Sequence, residues 1–185
     1  MARALALVAL LVLAGCAALE FERAADARGF ELSGRIAVRY GAEAAGGQLR
    51  WRHDRGGDEM LISSPLGQGL ARIQRDGEAV KLTTADGREY RAADAEELTH
   101  RVLGFRVPLA ALPDWVQGRA ARDMAVTQAQ RDAQGRLVLL EQAGWRIEFL
   151  AYADDAARPT RLRLTYPALE LRLVIAEWRT APDTN

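Results

Sequence analysis

The side chains able to do chemistry are few and scattered. The 185 residues hold one cysteine, Cys16, and two histidines, His53 and His100. The serines are Ser33, Ser63 and Ser64. One thiol cannot form an internal disulfide or a multi-thiolate metal site, and two histidines leave little for zinc or haem. There is no Gly-rich phosphate loop, no G-x-S-x-G and no H-E-x-x-H. Asp154-Asp155 could pair for acid chemistry, but adjacent acids in an Ala/Asp/Pro stretch read more simply as a solvated loop. Glu96-Glu97 fall near a helix start, where the dipole stabilises carboxylates. His53, beside Asp54, reads as a strand-end residue. No catalytic set and no metal site are expected.

The placement of Cys16 is more informative. Arg3 gives a positive start, Ala4 to Val12 is an unbroken apolar run, and Leu13-Ala14-Gly15-Cys16 follows. The run is too short to cross a bilayer as a helix, which takes about 20 residues. This resembles a bacterial lipobox; a plain secretory signal with an incidental cysteine is the alternative. The resemblance implies removal of residues 1–15 and a lipid on Cys16. Multiple acyl chains, at roughly 0.8 kcal/mol per buried CH₂, would anchor the protein stably. Residue 17 is Ala rather than the Asp of inner-membrane retention, which favours the periplasmic face of the outer membrane.

Lys+Arg and Asp+Glu each number 25, so the formal net charge is zero. That argues against nucleic acid as a partner. Apolar residues make up 49%, enough for a core. The length fits one domain.

The elements that would position these residues read as antiparallel sheet interrupted by helices. Residues 19–28 suit a short helix. From Phe30 to Tyr40 the even positions are mostly apolar and the odd ones mostly polar, the period of a strand with one face on a core. Gly41 to Gly47 reads as a turn. Leu49, Trp51 and His53 share a face of the next strand. Further strands are expected near 59–63, 70–75, 79–84 and 88–91, with Asp76-Gly77 and Asp86-Gly87 as hairpin turns. Asp94 and Glu97 resemble a capping box, Leu98, Val102 and Leu103 lie at helical spacing, and Gly104 suits a stop. Pro108 can open a second helix bearing Leu109, Leu112, Trp115 and Val116, with Pro113 breaking or kinking it. Sheet signals resume near 124–130, 137–141, 145–151, 161–166 and 169–175, and 180–185 reads as a loose tail. About ten or eleven strands and two or three helices result, with no repeated strand-helix-strand unit and so no parallel sheet.

Ser64-Pro65-Leu66-Gly67-Gln68 is the oddest segment. A leucine at the tip of a Pro/Gly turn cannot easily reach a core. Either it folds back in an ordinary hairpin or it stays exposed for contact.

Several segments together resemble the outer-membrane lipoprotein receptor family LolB. They are Leu32-Ser33-Gly34-Arg35, the Trp51 strand, Ser64 to Gly67, and Tyr90 with Ala93 to Leu98. They continue through Leu103-Gly104, Pro108-Leu109, Leu112, Trp115-Val116, Gly118 and Gly144-Trp145, to the strand ending at Trp178. The match runs from Phe30 to Trp178. Pro113 and the short stretch between Cys16 and Phe30 depart from the pattern. The resemblance implies an unclosed antiparallel half-barrel with a helical lid over an apolar cavity, spanning 30–179 after a lipidated 16–29 linker. It implies acceptance of lipoprotein cargo from the periplasmic carrier LolA and release into outer-membrane lipid, by a monomer, without a cofactor. It gives Pro65, Leu66 and Gly67 a role at the membrane. Alternation and helix stripes give Ile36, Val38, Trp51, Leu98, Leu112, Trp115, Trp145, Phe149, Leu164 and Leu173 as positions lining or covering the cavity. A structural or assembly lipoprotein without a cavity, or a membrane-attached hydrolase, are the competing readings.

Overall fold

The structure is a computed structural model that describes residues 29–77, 79–154 and 158–181. Cys16, the expected 19–28 helix and residues 182–185 lie outside the described residues. Eleven strands form one antiparallel sheet: β1 (Phe30–Tyr40), β2 (Glu43–Asp54), β3 (Gly57–Ser63), β4 (Gly69–Asp76), β5 (Ala79–Thr84), β6 (Glu89–Ala92), β7 (Val126–Arg131), β8 (Leu137–Gln142), β9 (Trp145–Tyr152), β10 (Pro159–Tyr166) and β11 (Leu169–Thr180). Their spatial order is β6-β5-β4-β3-β2-β1-β11-β10-β9-β8-β7. β6 and β7 are the two free edges, so the sheet does not close. The helices α1 (Ala95–Leu103) and α2 (Leu112–Val116) come between β6 and β7 in sequence. The chain therefore passes from one edge of the sheet to the other by way of its helices.

The alternation seen in the sequence is the alternation of the sheet. Phe30, Leu32, Leu49, Trp51, Ile147, Leu162, Leu164 and Leu173 are buried and belong to one apolar cluster. Arg35, Arg39 and Arg50 on the intervening positions are exposed. Asp94 caps α1 as expected, its carboxylate accepting from the Glu96 and Glu97 N–H groups at 2.7 and 3.1 Å. The reciprocal half of the box is replaced by an ion pair between Glu97 and Arg101 one turn on, at 2.6 Å. Gly104 ends the helix at φ 84°, a left-handed cap.

Four local expectations are corrected. The glycine-rich 41–47 segment is not a turn: β2 begins at Glu43, and only Gly41 and Ala42 link it to β1. Gly47 is needed for closeness rather than bending, because a Cβ there would lie 2.4 Å from the Ser63 carbonyl oxygen of β3. Pro113 does not kink α2; it sits in the first turn, where a missing N–H costs nothing. The segment opened by Pro108 is a turn up to Ala111, so α2 is shorter than the apolar pattern implied. Thr180 is not loose: it pairs with Phe30, and the Ala181 N–H donates to the Gly29 carbonyl at 3.0 Å.

Candidate functional site

The β3–β4 connection is the most exposed apolar feature among the described residues. Leu66 is 97% exposed. The turn beneath it is closed by its own hydrogen bonds. The Gly67 N–H donates to the Ser64 carbonyl at 2.9 Å, the Ser64 N–H to the Gln68 carbonyl at 2.8 Å, and the Gln68 N–H to Ser64 Oγ at 3.2 Å. Gly67 sits at φ 85°, a conformation that a side chain would strain, and Pro65 fixes the preceding φ. Of the two readings of Leu66, the structure has the exposed one.

The concave face of the sheet changes character along the strands. Near Leu66 it is apolar and incompletely covered: Ile36, Val38 and Ile62 are only partly buried, and Tyr40 is 39% exposed. Ile36 and Val38 pair on β2 with Gly47 and Ala45, which are too small to cover them. Toward the other end the helices close over the sheet. Leu98 and Trp115 are fully buried there, and Trp115 lies 5.9 Å from Trp145, centroid to centroid. Trp51, Phe149, Leu164 and Leu173 are buried in the same cluster, with Leu112 partly buried against it. All ten expected lining positions thus belong to one apolar cluster, tightly packed under the lid and loosely covered at the Leu66 end. A cleft of about 280 Å³ runs between His53 and Arg75 on the sheet and the segment from Ala110 to Met124. An open groove of about 830 Å³ lies outside the set, lined by polar residues such as Arg52, Glu59, Gln74 and Lys81.

Two polar hubs hold this arrangement, and neither was visible in the sequence. Gln142, on β8, is fully buried. Its Oε1 accepts from Trp115 Nε1 and from the Ala121 N–H, both at 2.9 Å. Its Nε2 donates to the carbonyls of Ala121 and Met124 at 2.9 and 2.8 Å. One amide satisfies all its hydrogen-bonding capacity on the lid segment. Asp58, with a side chain 1% exposed, accepts from Trp51 Nε1 at 2.8 Å, contacts His53 Nδ1 at 2.8 Å, and takes both Nε and Nη2 of Arg75. His53 was read beside Asp54, its chain neighbour; the β2–β3 register gives it Asp58 instead. Neither hub forms a catalytic constellation. Thr99 ties α1 to its own exit, donating to the Glu96 carbonyl at 3.1 Å and accepting from the Val107 N–H at 3.0 Å. Tyr152 donates to the Leu137 carbonyl at 2.7 Å, and burial pushes its hydroxyl up to about 12, so it remains a donor at any physiological pH.

No group of three or more His, Cys, Asp or Glu that could hold a metal occurs among the described residues. No described helix is long and apolar enough to cross a membrane.

Known proteins bear out the fold and the resemblance. Two solved structures share the fold at 9% identity. One, with a TM-score of 0.50, is a putative outer-membrane lipoprotein-sorting protein domain from Vibrio parahaemolyticus, covering 85% of this chain and 87% of that one. The other, with a TM-score of 0.51, is a DUF1329 family protein from Desulfovibrio piger, covering 86% and 88%. A protein of Thiobacillus denitrificans named outer-membrane lipoprotein LolB is 42% identical over 153 residues, 82% of this chain and 80% of that one. One of the same name from Azoarcus is 40% identical over 151 residues, 80% and 77%. The family profile described as outer membrane lipoprotein LolB matches residues 28–178. With nearly the whole described domain matched, the chain belongs to the LolB family of outer-membrane lipoproteins.

Proposed function

We propose that this chain accepts lipoproteins from a soluble periplasmic carrier, LolA in the reading the family resemblance implies, and releases them into the inner leaflet of the outer membrane. A lipid on Cys16 anchors it there. The observation that carries the proposal is the position of an apolar tip, Leu66, next to an incompletely covered apolar floor of Ile36, Val38 and Ile62.

Transfer of this kind needs no covalent chemistry. Each acyl chain costs on the order of 10 kcal/mol to expose to water, at roughly 0.8 kcal/mol per CH₂. A continuous apolar path removes most of that barrier. Cargo acyl chains would enter where the concave face is least covered and displace the lid segment that Gln142 pins. Leu66 then sets the uncovered end against the bilayer. Burying one leucine gains about 1.5–3 kcal/mol, enough to orient a tethered protein and too little to anchor it. The direction of transfer requires tighter acyl binding here than in the carrier, and tighter still in the bilayer.

Pro65, Leu66 and Gly67 form the membrane-touching loop in this reading. The ten apolar positions form the acyl path and its lid. The close packing of Leu98 and Trp115 under the lid favours the second reading, a structural lipoprotein with a closed core. Labelled lipoprotein, loaded on the carrier and mixed first with this protein and then with liposomes, separates the two. The proposal expects label to move to this protein in a one-to-one complex and then to the liposomes. A folded protein that takes no label from the carrier leaves the structural reading standing.

A further inference from the structure

The face of the sheet turned away from the lid carries a surface that the transfer path does not use. Following the strand registers across it gives two adjacent rows. One reads Arg161, Val174, Arg35, Gln48 and Ser63; the next reads Ser33, Arg50, Leu61, Arg72 and Thr83. The first row contains no acid; the second runs on into Glu177 beside Ser33 and Glu89 beside Thr83, acids that pair with Arg179 and with Lys81 and Arg91. Arg35, Arg50 and Arg161 are exposed, and no carboxylate lies within 4.0 Å of them among the described residues. Arg72 reaches Glu59 at 3.4 Å.

The flanking rows of the same face are different. On one side Arg52 lies 3.6 Å from Glu31 and 3.8 Å from Asp54. On the other, Arg172 meets Glu170 at 2.7 Å and Arg163 meets Glu148 at 3.3 Å. Charge on this face is therefore compensated above and below the two rows, while within them Arg35, Arg50 and Arg161 have no carboxylate at hand and Arg72 has Glu59. A protein of zero net charge has gathered unpaired arginines into one belt.

The belt is also on the same side as the Leu66 loop. Gln48 belongs to the first row, and its Nε2 donates outward to the Pro65 carbonyl at 3.5 Å. The base of the loop is thus tied to a residue of the outer face. We propose that Arg35, Arg50 and Arg161 form a docking surface for anionic phospholipid headgroups. The proposal rests on the reading of Leu66 as a membrane-touching tip and adds which lipid the neighbouring surface selects. Guanidinium groups bind phosphate oxygens in a bidentate fashion and are weakly hydrated. Leu61 and Val174 interleave them with apolar surface. A bilayer presents phosphate first and hydrocarbon beyond it, the order in which the belt and the projecting tip would meet them. An acidic protein surface would satisfy the arginines but not the leucine. Docked this way, the molecule keeps its lid turned to the aqueous side, where a carrier arrives.

The test uses the full lipidated chain in vesicles, with an environment-sensitive fluorophore on Gln68→Cys to report immersion of the loop. Vesicles are either phosphatidylcholine or phosphatidylcholine with about 30 mol % phosphatidylglycerol. The loop is expected to dock more on the anionic vesicles, and about 1 M salt should erase the difference. Replacing Arg35, Arg50 and Arg161 together by Gln should lower the docked-to-free ratio there by on the order of a hundredfold, about fivefold per arginine, with little change on phosphatidylcholine. The same three sites as Lys should keep most of the preference. An unchanged thermal midpoint verifies folding of each variant.

If the triple Gln variant keeps the anionic preference while Leu66→Glu abolishes docking, the belt is refuted and the tip stands. If Leu66→Glu docks as the parent does, the reading of the tip falls and the proposal with it. Slower uptake of cargo from the carrier, with lipid preference unaltered, would assign the belt to a protein and overturn the proposal.

Discussion

Leu66 and Asp58 sit near opposite ends of β3 and make opposite demands. Leu66 touches almost nothing, so Leu66→Glu should change stability by no more than about 0.5 kcal/mol, the usual range for exposed sites. Its effect belongs to transfer: insertion of cargo into liposomes should slow while acceptance from the carrier stays near normal. Leu66→Ala should be milder, and Leu66→Trp tolerated. Urea denaturation alongside the two-step transfer assay checks this; a loss of several kcal/mol in stability would mean the side chain is core. Asp58 is the reverse. Asp58→Ala strands the Trp51 indole N–H and leaves the Arg75 guanidinium, 17% exposed, without its partner. Removing one member of a buried pair costs about 3–5 kcal/mol. Denaturation should show that loss, and a variant within 1 kcal/mol of the parent, by the same principle, would mean the hub relaxes into solvent. The two residues differed in legibility too. A leucine between Pro and Gly is conspicuous in a linear sequence. Asp58 becomes important only through the β2–β3 register, which decides that His53 meets it rather than its neighbour Asp54.

The lid is the element in which local sequence says least about attachment. Its amphipathic stripe marks Leu98, Trp115 and Val116 as buried, and they are. The stripe cannot show that the segment from Trp115 to Met124 hangs on one amide of β8. Gln142 alternates in step with Leu140, and a period-two pattern scores it only as a polar interruption. The strands were legible because alternation survives across nearly the whole sheet. Gly41 to Gly47 was misread because glycine marks both turns and close strand contacts, and only the partner strand tells which. Gln142→Leu should therefore act on the lid and spare the sheet. It removes four hydrogen bonds and leaves the Trp115 and Ala121 donors unpaired, at about 2–4 kcal/mol. Hydrogen exchange should quicken across 111–124 while β1 and β11 stay protected, and an apolar dye should bind more readily. Uniformly faster exchange would show that the lid and sheet open as one unit.

At the scale of the whole molecule, the proposed function gives the two ends of the sheet separate duties. Gly29 and Ala181 join at the end occupied by Asp58, so the chain leading from Cys16 enters there. From the Phe30–His53 pair to the Gln48–Ser63 pair beside the Leu66 loop is about 17 Å of strand rise. The stretch from Cys16 to Gly29 can extend at most about 45 Å. A lipid on Cys16 and a tip at Leu66 can therefore touch one bilayer together. In the proposed function the anchor would hold the protein, and the tip and the floor beside it would set its orientation. These contributions can be separated. Cys16→Ala removes the acyl chains and leaves the tip, worth about 1.5–3 kcal/mol, and the arginines, worth about 1 kcal/mol each on anionic lipid, which together correspond to weak, reversible contact. The variant should be recovered in the soluble periplasmic fraction. Lengthening the tether with a flexible Gly/Ser insert of about 20 residues should leave the protein in the outer membrane. Because effective concentration falls only slowly with linker length, transfer should drop by no more than a few-fold. Fractionation, mass spectrometry of the mature N-terminus and the liposome assay read these outcomes. An unmodified Cys16 on the native protein would remove the anchor from the account. Loss of transfer on lengthening, with localisation intact, would mean that the tether positions the sheet and the tip does not.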